Sequence, residues 1–387
     1  AAALGGGAAG VGGTYAGISM WGQTQTTAAS SPTVVTVNDT QKVNNVTAVA
    51  TKVLPSVVTI SATASNGGGT GSGVVLSADG YVLTNTHVVT LDGATADPTL
   101  SVTTSDGKVY KATVVGTDPT YDLAVIKLTD ASGLTPIEFA DSSKLNVGDQ
   151  AIALGAPLGL DNTVTTGIVS ALNRSIEIAS SAAPDDSSTK EDGGQGQQES
   201  PFQFDFGQGQ QQQQQSTNAT IKIAVIQTDA AINPGNSGGA LVDSDGKLIG
   251  INVAIASSGG SSSGGQSGNI GVGFSIPANI AQRVADEIIK DGSATHGLLG
   301  ATVADAASQK NATIQGAYIQ DVSSGGAAAG AGLRSGDVVT EFNGVPVTNA
   351  IDLTAQVRAA AGGSEATLSY VRDGKTETAK LTLGTLQ

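Results

Sequence analysis

Gly235-Asn236-Ser237-Gly238-Gly239-Ala240-Leu241 sets a serine among glycines. A serine hydroxyl is a poor nucleophile until a base takes its proton, and its attack creates an oxyanion that needs donors. Glycines next to the serine permit a sharp backbone turn. The amides of Gly235 and Ser237 can then point at one oxygen, with Asn236 shaping the turn between them. A glycine-flanked serine by itself is equally well an ordinary loop. The reading therefore depends on a base and on a group that orients the base.

The chain has two histidines. His87 lies in Tyr81-Val82-Leu83-Thr84-Asn85-Thr86-His87-Val88-Val89. Gly73 to Val89 reads as two strands around the turn Ser77-Ala78-Asp79-Gly80, which predicts His87 at a strand end facing a cleft. His296 reads as an exposed linker residue. The orienting group is Asp122, at the head of the apolar strand Leu123-Ala124-Val125-Ile126-Lys127-Leu128. Its competitor Asp118 precedes a proline and reads as a turn former. Asp122 abuts the strand and is expected to be partly buried, where it can hold the imidazole in one tautomer and stabilise the imidazolium. The chain order His, Asp, Ser is that of the chymotrypsin-like arrangement, not of subtilisin or the α/β-hydrolases.

Around these residues the pattern is one of short strands with turn signals, from Val53 to about Pro277. Ser56–Ser61, Gly73–Leu76, Lys111–Val115 and Gln150–Gly155 are examples, and their spacing predicts an all-β double barrel. Histidine and aspartate would come from the first barrel and serine from the second, with the cleft between them. Aromatic residues make up only 3% of the chain, so the cores must be aliphatic. A helix is predicted from Ile276-Pro277-Ala278-Asn279 to Gly292, with Ile280, Val284 and Ile288 at helical spacing. Residues 180–219 are polar and low in complexity, with a glutamine run at Gln210–Gln215, and lack core-forming composition. They contain one apolar island, Pro201-Phe202-Gln203-Phe204-Asp205-Phe206. This reads either as plain spacer or as an aromatic clip. Ser257–Gly268 is a second Ser/Gly-rich stretch.

With 18 basic against 33 acidic residues, the net charge of −15 argues against nucleic-acid binding. The absence of cysteine rules out disulfides, thiolate nucleophiles and zinc–thiolate sites. Residues 1–38 carry no charge. Ala1–Trp21 reads as the remnant of a membrane anchor or signal segment, or as a flexible low-complexity tail. Residues 22–48 read as a polar linker. Domains are therefore expected at 1–48 (anchor remnant and linker), 49–292 (double barrel with the 180–219 insertion) and 293–387.

Three segments resemble one family, the HtrA (Deg) serine proteases: Thr84-Asn85-Thr86-His87-Val88-Val89, Asp122-Leu123-Ala124-Val125, and Gln227-Thr228-Asp229-Ala230-Ala231-Ile232-Asn233-Pro234 leading into the serine loop. The resemblance runs from about Val53 to the C-terminus, broken by the insertion. Residues 294–387, with His296-Gly297-Leu298-Leu299-Gly300-Ala301 and Ala331-Gly332-Leu333-Arg334-Ser335-Gly336-Asp337, resemble a PDZ domain. The fold implied is mainly β: a chymotrypsin-like double barrel followed by a small α+β PDZ domain. The function implied is a serine endopeptidase with His87, Asp122 and Ser237 as triad and Gly235, Asn236 and Ser237 forming the oxyanion hole. It would need neither cofactor nor metal. Substrates would be misfolded or damaged proteins at the extracytoplasmic face of the membrane or in the cell envelope. The 180–219 insertion would be a regulatory loop, and the assembly a homotrimer, although only Tyr15 and Trp21 are aromatic ahead of the first barrel.

PDZ domains add a peptide to a sheet edge and capture its C-terminal carboxylate with loop amides. The matching loop here is Leu298-Leu299-Gly300-Ala301. In chymotrypsin-like proteases the residue six before the nucleophile sits at the base of the specificity pocket. That residue is Ala231, and the resemblance adds Ile232, Ile251, Val253 and Ile255 as walls. An uncharged pocket would bury lysine or arginine without a partner, so cleavage is expected after Val, Ala, Ile or Leu. Two other readings stay open: a peptide-binding chaperone with a latent centre, and a dedicated signalling protease.

Overall fold

The computed structural model describes residues 43–65, 67–155, 163–179, 220–253, 271–309 and 313–386. Tyr15, Trp21, Ile255, the 180–219 insertion and Ser257–Gly268 lie outside the described residues. Among the described residues no helix is long and apolar enough to cross a membrane.

The expected linker ends earlier than residue 48. A helix, Asn45–Val53, is capped by the Asn44 side chain, which accepts from the Thr47 amide at 2.9 Å. It buries Val49, Ala50 and Val53 in the main core, and Lys52 Nζ donates to the Asp245 carbonyl at 2.9 Å. The apolar spacing of Val46, Val49, Ala50 and Val53 is helical, and the polar residues between them disguise it.

Two closed six-stranded barrels follow. The first uses Val57–Ala64, Gly67–Val75, Tyr81–Thr84, Thr99–Thr103, Val109–Asp118 and Leu123–Leu128. The second uses Gln150–Gly155, Thr163–Ala179, Thr220–Thr228, Ala240–Val242, Leu248–Val253 and Gly273–Pro277. Counting strands within each, both close in the order first, second, third, sixth, fifth, fourth, entirely with antiparallel pairs. Closure removes the sheet edges. The cores are mainly aliphatic, as a chain poor in aromatics requires, with Tyr121 and Phe274 as the buried aromatic members of the largest.

The helix Ala278–Asp291 buries Ala278, Ala281, Val284, Ala285 and Ile288 and ends at Gly292, whose φ of +82° suits glycine. Beyond it, His296–Leu298 pairs with Gly384–Leu386. A second sheet runs in the order Ala301–Asp305, Ala317–Val322, Val338–Phe342, Glu365–Arg372, Lys375–Thr382. The helix Ala350–Ala359 places Leu353 and Val357 in this sheet's core. It also packs against the strands Thr163–Ala179 and Thr220–Thr228 of the second barrel.

His296 corrects the sequence reading. It is 1% exposed, not a surface linker residue. Its ring nitrogens contact the Arg358 carbonyl at 2.8 Å and Asp118 Oδ1 at 2.9 Å. The ring stacks on Tyr121, with centroids 5.6 Å apart and planes at 15°. A buried imidazole needs partners for both nitrogens, and the chain fold brings in two that are distant in sequence.

Candidate active site

His87 stands in a one-turn helix, Thr86–Thr90, just past the strand Tyr81–Thr84. The sequence reading had it at the end of the strand itself. The chain turns out of the barrel at Asn85, and the helix delivers His87 with its side chain 11% exposed. Asp122 is 1% exposed. The two meet twice: His87 Nδ1 lies 2.7 Å from Asp122 Oδ2, and the His87 backbone N–H donates to Oδ1 at 2.9 Å. Each carboxylate oxygen thus contacts His87.

The residues around His87 hold Asp122 from the other side as well. Asn85 Nδ2 and the Thr86 amide donate to the Asp122 carbonyl at 2.8 and 3.1 Å, and Thr86 Oγ1 donates to the Leu123 carbonyl at 2.6 Å. Asp122 has φ +53°. A left-handed aspartate persists only where its surroundings fix it, and Asn85-Thr86-His87 is part of that fixing. Burial alone would push the His87 imidazole down. The charge and hydrogen bond of Asp122, with the charge of Asp92 added, outweigh it and hold His87 above its ordinary range.

The serine loop is built on a turn. The Asn236 amide donates to the Asn233 carbonyl at 2.9 Å, with Pro234 at the second position and Gly235 at the third. Gly235 has φ +97°, as the third position of a type II turn requires. In that turn the Gly235 N–H is not used by the closing bond. Ser237 is 5% exposed, and its carbonyl accepts from the Ser72 amide at 2.8 Å. The Gly238 amide donates to the Asn252 carbonyl at 2.9 Å. A Cβ on Gly238, at φ +80°, would lie 2.2 Å from the Ser72 carbonyl oxygen and 2.3 Å from Thr84 Oγ1. No side chain fits there.

Ser72 went unnoticed in the sequence. It sits on the second strand of the first barrel and grips the loop of the second barrel at two points, since its hydroxyl also donates to the Gly235 carbonyl at 2.7 Å. Thr84 Oγ1 donates to the Ser72 carbonyl at 2.7 Å and supports it from behind. The only available signal was Gly71-Ser72-Gly73, a second serine between glycines.

The residues expected to line the specificity pocket differ in their surroundings. Ala231 is half-buried, and its carbonyl accepts from Thr165 Oγ1 at 2.8 Å. Ile232 packs with Val169, Ile226, Leu241 and Ile249. Ile251 and Val253 instead enter the main core with Leu154, Phe274 and Ile276. They are core residues, not pocket walls. Their strand is paired on both sides and buried along its whole length, so it keeps no side open to a cleft.

The expected carboxylate loop also divides. Leu298 is 45% exposed, whereas Leu299 is turned into the sheet's core and is no part of an apolar mouth. The carbonyls of Leu299 and Gly300 accept from Ala328 and Ser323 at 2.8 and 2.9 Å. Gly300, at φ +71°, reverses the chain into the edge strand that Ala301 begins.

Residues 71–251 match the trypsin-like peptidase domain family, and residues 297–383 match the PDZ domain family. The chain is 40% identical over 362 residues to the serine protease PepD of Mycobacterium tuberculosis, covering 92% of this chain and 69% of that protein. It is 39% identical over 323 residues to the periplasmic serine endoprotease DegP of Escherichia coli K12, covering 80% of this chain and 57% of DegP. It thus spans little more than half the length of DegP. Among solved structures, the HtrA-type protease AlgW with a tripeptide superposes with a TM-score of 0.59 at 32% identity, covering 88% of this chain and 97% of AlgW.

Proposed function

Because this chain belongs to the HtrA family of serine proteases, with a trypsin-like peptidase domain and one PDZ domain, we propose that it is a serine endopeptidase whose working groups are Ser237, His87 and Asp122. Ser237 Oγ attacks the scissile carbonyl while His87 Nε2 takes its proton and later gives it to the leaving amine. Asp122 orients the imidazole through Nδ1 and stabilises its charged form. The amides of Gly235 and Ser237 receive the oxyanion. The observation that carries this reading is the double contact of His87 with Asp122, at 2.7 and 2.9 Å.

The substrates are unfolded or damaged polypeptides of the cell envelope, where relatives named periplasmic also act. Cleavage falls after small or branched apolar residues, on the strength of Ala231 at the pocket base and Ile232 beside it. The edge strand Ala301–Asp305 accepts the C-terminus of a peptide and regulates the protease. The relatives favour a protease over a chaperone with a latent centre. Digestion of casein, with its cut sites mapped by mass spectrometry and with or without an apolar C-terminal peptide, tests the reading. Cuts mainly after Lys or Arg would remove the pocket assignment, and no cuts at all would remove the activity.

The pH dependence has a definite sign. His87 must be neutral to act as base, and its pKa is raised above the ordinary 6.5. The imidazolium therefore persists to higher pH, and the acid limb of kcat/KM is displaced upward. Casein hydrolysis followed from pH 5 to 9 is expected to rise as a single-proton curve with a midpoint above 6.5. A midpoint at or below that value would mean that Asp122 does not govern the base.

A further inference from the structure

Tyr121, immediately before Asp122, is the largest fully buried side chain of the described residues. The triad chemistry makes no use of it. Its hydroxyl donates to the carbonyl of Ala355 at 2.8 Å and receives the Ala224 amide at 3.4 Å. Its ring stacks on His296. Burial pushes the hydroxyl far above its usual range, so it remains a donor at every pH at which the protein works.

Three bodies meet at this one ring. Tyr121 belongs to the first barrel and is covalently next to Asp122. Ala224 lies on the strand Thr220–Thr228, which runs on through Asp229–Pro234 into the serine loop. Ala355 lies on the helix Ala350–Ala359 of the PDZ domain. That helix is capped by Asn349, and its first amide, that of Ala350, donates to Oδ1 of Asp305 at the far end of the edge strand at 2.8 Å. The turn before Asp122 has a second anchor: Asp118 Oδ1 receives the Thr120 amide at 3.0 Å and contacts His296 Nε2 at 2.9 Å.

Asn85-Thr86-His87 holds one side of the left-handed Asp122, and Tyr121 holds the other. We propose that Tyr121 is a positioning residue for Asp122, and that its hydroxyl makes the PDZ helix part of the scaffold that presents the carboxylate to His87. This deepens the endopeptidase reading and rests on it. Movement of Ala350–Ala359, as when a peptide is added along the neighbouring edge strand, would reach Asp122 through one side chain.

Tyr121→Phe keeps the ring and the stack and removes only the hydroxyl, which makes it the informative variant. In the full chain, kcat on casein is expected to fall about five- to tenfold with KM unchanged, since loosened geometry costs rate rather than binding. The acid limb of the pH profile is expected to move down, because a less firmly held Asp122 raises His87 less. Among the described residues, Asp122 and Asp92 act on His87 by charge, and Asp118, His296, Arg283 and Arg358 lie around Tyr121. A readout independent of turnover is the low-field proton resonance of the His87–Asp122 bond, identified by its loss in His87→Ala. It is expected to shift upfield or broaden in Tyr121→Phe. A wild-type chain that shows this resonance yet cuts nothing refutes the endopeptidase reading, while the resonance still tests Tyr121. An unchanged resonance and acid limb in Tyr121→Phe, with kcat within about twofold, would overturn the proposal and leave Tyr121 a packing residue at a domain contact.

Discussion

Ser237→Ala is expected to lower kcat for casein by about a millionfold while the protein stays folded. Loss of the nucleophile alone costs about as much as loss of the whole triad, because the three groups act as a unit. The loop has backbone contacts that do not pass through the hydroxyl. Its backbone is held by the Ser72 amide on the Ser237 carbonyl, by the Gly238 amide on Asn252, and by the Gly239 amide on Asn236, at 2.8, 2.9 and 2.9 Å. Alanine keeps all three. The melting temperature is accordingly expected to stay within about 2 °C of the parent. Turnover within about tenfold of wild type would exclude Ser237 as nucleophile. A collapsed melting temperature would instead mean that the hydroxyl holds the loop.

The pairing of His87 with Asp122 was legible in the sequence for a chemical reason. A base that titrates near neutrality is usually histidine, and the chain offers only two. The order of His87, Asp122 and Ser237 then restricted the fold. The barrels were legible because strand alternation and turn residues are local signals. What escaped was non-local. The partners of His296 lie 178 residues away at Asp118 and 62 residues away at Arg358, so nothing adjacent marks it as buried. Ser72 reaches Gly235 across 163 residues. Ile251 and Val253 were misplaced because an apolar strand reads alike whether it lines a pocket or is enclosed on every side. The sequence reading placed the sharp turn at the glycines beside Ser237, whereas the turn closes from Asn233 to Asn236 with Pro234 and Gly235 in its two central positions, a signal that was local and was passed over.

Asp122→Asn separates the position of this group from its charge. Asparagine is among the residues that best tolerate left-handed backbone, so φ +53° at position 122 is retained at little cost. The carbonyl contacts from Asn85 and Thr86 do not involve the side chain. The side-chain orientation is also dictated. The His87 backbone N–H donates to the oxygen at the Oδ1 position at 2.9 Å, and only the amide oxygen can accept there. The NH2 group must then occupy the Oδ2 position, 2.7 Å from His87 Nδ1 in the parent. Two N–H donors cannot face one another, so Nδ1 gives up its proton and becomes an acceptor. The proton moves to Nε2, the nitrogen that has to accept from Ser237. The base is thereby blocked by a tautomer change with no change in its place. A loss of about 10⁴-fold in kcat is expected, with KM and melting temperature near those of the parent. The displaced acid limb should disappear with the carboxylate charge that raised His87. A loss under about tenfold would show that the carboxylate neither sets the tautomer nor supports the imidazolium, and the double contact between His87 and Asp122 would then be an anchor for the helix Thr86–Thr90 rather than part of the chemistry.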